Sequence, residues 1–143
     1  MKLFQALKEK QKLAGEIAEL KRRVQENNSY IVGNEQNYST KETLEKLFNK
    51  EKELIDLKVK IQEANRPIYH KIFELAELKG RVLFLKGVFT DKGIEKISNF
   101  NTEVIERDCE ITQVELDKII DETKSKIYEL QDELDIYNHT TEI

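Results

Sequence analysis

Two histidines, one cysteine and 28 carboxylates are the side chains of this chain best suited to chemistry near neutral pH. His70 and Glu74 stand four residues apart, a spacing that places both on one helical face where they could share a cation. A helical dimetal centre asks for more, with a Glu-x-x-His on each of two helices. The residue three before His70 is Pro67 and the residue three before His139 is Ile136, so the pattern is missing and His70–Glu74 reads as a solvent-facing pair. Cys109 is flanked by Glu106, Asp108 and Glu110 with no basic cluster nearby, a setting that works against a reactive thiolate. Neither a Gly-x-Ser-x-Gly elbow nor a phosphate-binding glycine loop occurs. The carboxylates fall in charged runs, which on helices are solvated faces. No catalytic, metal-binding or cofactor-binding residue is assigned, and the expectation is a protein without enzymatic activity and without a cofactor.

The elements behind these residues follow from composition. Charged residues make up 36% and hydrophobic ones 38%, with five glycines, one proline and no tryptophan. That mixture reads as long amphipathic helices. A length of 143 residues suggests one domain over 1–143, large enough to bury about two-thirds of its unfolded surface. Residues 1–25 carry seven basic and three acidic side chains, and residues 103–143 carry four basic and thirteen acidic ones. Net charges of +4 and −9 at the two ends suggest that the ends lie side by side. The acidic end and the lack of a basic stripe interleaved with aromatics argue against a nucleic-acid partner. "MKLFQALKEKQ" is charged from the start and lacks the apolar run of a signal peptide. No stretch reaches the ~20 apolar residues of a membrane span, so a cytoplasmic setting without a membrane partner is the expectation.

Apolar spacing places a first helix over about 2–27, with Leu13, Ile17, Leu20 and Val24 on its inward face beside Leu3 and Ala6. "NNSYIVGNEQNYST" then reads as a loop, with Ser29–Val32 a possible short extended piece. Ser39 and Glu42 form a capping box that opens the second helix, whose inward face includes Leu54 and Ile61. Asn65 and Pro67 mark a joint, with a kink inside one longer helix as the alternative. Proline inside a helix costs ~3 kcal/mol and pushes the preceding residue out of the α region, whereas at a first position it costs almost nothing. A third helix is therefore expected from Pro67 to about residue 89, with Ile72, Leu75 and Val82 inward. Gly80 and Gly87 would let a neighbouring helix approach, or Gly87 would mark fraying near the helix end. Ile105, Cys109 and Ile111, at even spacing, suggest a short extended segment near 101–111. Thr112 and Glu115 make a second capping box. The last helix runs to about Asn138 with Ile120, Ile127, Leu130 and Leu134 in heptad order.

The fold class is thus mainly α: an antiparallel, coiled-coil-like bundle of three to four long helices. Broad apolar faces point to a homo-oligomer, and to a scaffolding or protein-interaction role that could extend to another protein.

The ends of the chain carry a family likeness. "MKLFQAL", Ile17, Leu20 and Asn27, the Ile61-x-x-x-Asn65 helix end, and Ile111, Leu116, Lys118, Glu129 and Leu130 followed by "NHTTEI" resemble a family of small bacterial helical proteins known as septicolysin-like. Most of its members have no assigned function. His139 stands where the family has Trp, Thr112 where it has an Asp cap, and Pro67 near the place of a Gly-Thr-Leu turn. The resemblance implies a helical, oligomeric fold. The family name adds an alternative role, that of a membrane-active cytolysin.

Overall fold

The computed structural model describes residues 1–97 and 103–143. In chain order it has α1 (Leu3–Asn27), α2 (Thr40–Asn65), a 3₁₀ turn (Arg66–Ile68), α3 (Tyr69–Lys86), β1 (Gly93–Lys96), β2 (Val104–Arg107) and α4 (Gln113–Thr140). The fold is mainly helical with one antiparallel β-pair. Its contacts separate into two compact units, residues 1–68 with 135–143, and residues 69–134.

In the first unit α1 and α2 form an antiparallel hairpin. Leu3 and Ala6, opening α1, share a cluster with Ile61 near the end of α2, and further along Glu16 lies 3.5 Å from Lys50. The inward stripe of α1 places Leu13 and Ile17 in the core and leaves Leu20 and Val24 half-buried. On α2, Ile61 and Leu47 are buried and Leu54 is half-buried. Thr43 is buried too, its hydroxyl donating to Ser39 C=O at 2.7 Å, so that hydroxyl is not stranded.

Ser29–Val32, expected as a short extended piece, forms no strand: Ser29 lies in a bend and Val32 enters a turn. Asn34 N–H donates to Ile31 C=O at 3.0 Å, and Gly33 between them has φ +94°. A turn with positive φ at its third position favours glycine, and Gly33 decides the local path over the apolar Ile31 and Val32. Ser39 caps α2, its hydroxyl accepting from Glu42 N–H, but the expected capping box is only half formed, since no bond runs from Ser39 N–H back to the Glu42 carboxylate.

Pro67 corrects an expectation. Arg66 is not pushed out of the α region: it has φ −48° and ψ −47°. Pro67 is also not the first residue of an α-helix, since α3 begins at Tyr69 and Pro67 occupies the middle of the 3₁₀ turn that follows Asn65. Hydrogen bonding gives the reason. Proline has no N–H for the carbonyl four residues earlier, that of Glu63. Arg66 N–H takes over and donates to Glu63 C=O, an i→i−3 bond. Tightening one turn satisfies the group that proline would have stranded, so the chain stays helical through it.

In the second unit α3 and α4 run antiparallel. Lys71 meets Glu133 at 2.8 Å at one end, and Thr90 donates to Gln113 Oε1 at 2.7 Å towards the other. Leu75, Leu78 and Val82 are the buried residues of α3, with Ile72 half-buried. Leu116, Ile120, Thr123, Leu130 and Leu134 are those of α4, with Ile127 half-buried. Thr123, the polar entry in that heptad series, donates to Ile119 C=O at 2.8 Å. Leu78 escaped the sequence reading although it lies three residues after Leu75 and four before Val82.

The segment expected as extended near 101–111 contains β2, while positions 101–102 lie outside the described residues. The third helix ends at Lys86 rather than about 89, where Gly87 N–H and Val88 N–H close on Phe84 and Leu85 C=O. Gly80 does not serve a close approach: a Cβ built there meets no atom within 4 Å, and the same holds for Gly15 of α1. Both sit in helix interiors without positive φ. Gly15→Ala and Gly80→Ala should therefore each stabilise the fold by about 1 kcal/mol through lower unfolded-state entropy. Thermal melts followed by circular dichroism should rise by about 4 °C for each substitution.

Candidate interaction surface

Three places gather polar and aromatic groups. The first is where the chain ends meet. Leu3 N–H donates to Thr141 C=O at 2.9 Å and Ile143 N–H to Met1 C=O at 3.0 Å, so that Lys2 and Glu142 pair as an antiparallel bridge. Glu142 takes the N-terminal ammonium at 3.1 Å and Lys2 Nζ at 2.8 Å, and these cations hold its carboxyl below the usual range. Lys2 Nζ also donates to Thr140 C=O, the negative end of the α4 dipole. His139 stacks on Phe4 with ring centroids 4.5 Å apart, and Tyr137 Oη donates to Ala64 C=O at 2.8 Å. "NHTTEI" is thus a clasp on the chain's own beginning, and of the charges expected to complement each other at the two ends it brings Glu142 to Lys2 and the N-terminal ammonium.

The second is a surface cleft of about 630 Å³ between α1 and α2, lined by Gly15, Glu16, Glu19, Leu20, Arg23, Lys46, Asn49, Lys50 and Glu53. Several of the charges in and beside it pair with one another, while Glu16 Oε2 is buried without a hydrogen-bond partner among the described residues. Arg22 and Arg23 both bond Glu19, which is drawn down to about 2 by the Arg22 guanidinium first of all. Arg22 also bonds Glu26. Lys50 bonds Glu53 at 3.2 Å and is held above the usual lysine range by it.

The third is the far end of α3 and α4, where β1 and β2 project. Their register pairs Gly93 with Arg107, Ile94 with Glu106, Glu95 with Ile105 and Lys96 with Val104. Gly93 turns the chain into β1 with φ +110°. Arg107 fastens one face of the pair, donating to Glu95 Oε2 at 3.0 Å and lying 5.5 Å over the Phe89 ring. Thr112 and Glu115 form the full capping box, hydroxyl to amide at 3.3 Å and carboxylate to amide at 3.0 Å, and so fix where α4 leaves the hairpin.

Burial sets this end apart. Among the described residues none between Val82 and Leu116 is buried. Leu83, Phe84, Phe89, Ile94, Ile97, Val104, Ile111 and Val114 are all exposed, Ile94 at 74% and Val114 at 78%. Two strands by themselves are marginal in water and need a further strand or a covering layer. Cys109 is half-buried here, and its N–H is taken by Asp108 Oδ1 at 2.8 Å.

His70 is exposed, with Glu74 3.8 Å from its Nδ1. Among the described residues no group of three or more His, Cys, Asp and Glu side chains is arranged to hold a metal ion. No helix among them is long and apolar enough to cross a membrane. No family model, curated protein or solved structure matches this chain.

Proposed function

We propose that this chain is a non-enzymatic, self-associating helical protein with a scaffolding role, and that it associates through the hairpin end of α3 and α4. The observation that carries the reading is the stretch between Val82 and Leu116, in which eight large apolar side chains are exposed and no described residue is buried. Scattered apolar side chains on a surface need no explanation, but a whole supersecondary unit without a core does. The septicolysin-like resemblance, with its oligomeric fold, agrees with this role.

Sedimentation equilibrium from about 1 to about 100 μM tests it, a range that brackets micromolar association. A concentration-dependent dimer or higher oligomer is expected. The double substitution Leu83→Asp and Phe84→Ser should weaken it at least tenfold while leaving the melting temperature within a few degrees, because both side chains are already solvent-facing. A strict monomer over the whole range overturns the proposal. Dye release from lipid vesicles by the monomer would make lipid the occupant of this surface and favour the cytolysin role.

A further inference from the structure

The reading of self-association leaves open how two copies meet, and the β-pair supplies a register. Ile97 N–H donates to Glu103 C=O at 3.3 Å. Hydrogen-bonded pairs alternate along an antiparallel ladder, so Glu103, Ile105 and Arg107 turn their backbone groups towards β1. Val104 and Glu106 turn theirs outward. Among the described residues no backbone hydrogen bond satisfies those outward groups, and both residues are exposed. The outer edge of β2 is therefore an open template of two residues, four backbone groups in all.

We infer that this edge pairs antiparallel with the same edge of a second copy, joining two hairpins into one four-stranded sheet. The inference rests on the self-association proposed above. A two-fold axis through Ile105 sets Val104 of each copy opposite Glu106 of the other, so all four outward groups on each copy find partners. Ile105 then faces its own counterpart as a close, non-hydrogen-bonded pair. Glu103 of each copy lies opposite Arg107 of the other, giving two opposite-charge pairs at the ends of the new ladder.

Competing registers do worse. Centring the axis on Glu106 brings two carboxylates face to face, and centring it on Val104 sets Glu103 opposite Ile105, which gives up the opposite-charge pairs. The outer edge of β1 is excluded by charge, because an axis through Ile94 sets Lys92 against Lys96 twice. Charge and hydrogen-bond phase select the same edge and the same register, and a second copy is the occupant that satisfies both.

Disulfide trapping tests the register. In a Cys109→Ser background, Ile105→Cys should cross-link into a covalent dimer on mild oxidation, since the paired Cα atoms stand about 4.5 Å apart. Val104→Cys in the same background should cross-link at least fivefold less, because its counterpart lies a diagonal step away, about 7–8 Å. Val104→Pro removes an outward N–H and spares the β1 ladder, so it should weaken the dimer at least tenfold with helicity unchanged. A sedimenting dimer in which Ile105→Cys does not cross-link, or cross-links no faster than Val104→Cys, overturns the edge pairing and leaves self-association standing. So does a Val104→Pro chain that dimerises as tightly as the parent. A parent chain that is monomeric throughout overturns both.

Discussion

Leu130→Asp should lower the melting temperature by more than about 10 °C, the largest effect of any single substitution considered for this chain. Leu130 is 2% exposed and sits in the unbroken inward series of α4. Replacing it removes about 2 kcal/mol of apolar burial and sets a carboxylate where water does not reach. Thr123 in the same series is tolerated because its hydroxyl donates to the backbone Ile119 C=O, a bond for which an ionised carboxylate has no proton to give. The combined cost is about 5 kcal/mol, a large part of the 5–15 kcal/mol typical of a domain. Leu130→Met, which keeps the volume and adds no charge, should cost less than about 1.5 kcal/mol. Chemical denaturation of the three proteins side by side checks the pair, and a Leu130→Asp chain melting within a few degrees of the parent would refute the assigned inward face.

Deleting Thr141–Ile143 should cost about 4 kcal/mol. Three backbone hydrogen bonds are lost, Leu3 N–H to Thr141 C=O, Thr141 N–H to Tyr137 C=O and Ile143 N–H to Met1 C=O, each worth about 1 kcal/mol. Ile143 leaves the cluster of Leu3, Ala6 and Ile61, removing roughly 1 kcal/mol more. The ion pairs of Glu142 are exposed and contribute a smaller share. They do set a pH dependence. Glu142, held down by Lys2 and the N-terminus, and Glu133, held down by Lys71, both have lowered values in the folded chain. Their contribution is complete above the unfolded carboxylate range and disappears as pH falls through the folded values. Stability should therefore decline below about pH 4.5. The decline should be shallower in the truncated chain, which has already lost Glu142. Melts at descending pH measure both the offset and the slope.

Much of this architecture is legible in the residues because each signal has a local mechanism. The Thr112 and Glu115 box can be read from type and spacing, since a hydroxyl and a carboxylate three residues apart satisfy each other's amides. The heptad of α4 predicts its buried face because 3.5-residue spacing and burial report the same geometry. Pro67 misleads for a definable reason: its missing N–H is visible in sequence, but the substitute bond from Arg66 to Glu63 is not. Strand β1 gives no signal because none of its four residues is buried, leaving no alternation to detect. The Phe4–His139 stack and the bridge between Lys2 and Glu142 join residues more than 130 positions apart, beyond any periodicity. Of the hairpin end, even spacing reveals an extended piece around Ile105. Its open edge emerges only once the pairing with β1 is known.

The contact between the chain ends also bears on the order of assembly. Met1 and Glu142 are separated by 141 positions, whereas α1 and α2 are joined through the short segment between Asn27 and Thr40. Closing the longer loop directly costs about 2 kcal/mol more in chain entropy than closing the short one. Both helical hairpins should consequently condense before the ends find each other, and amide exchange should detect the ends parting first.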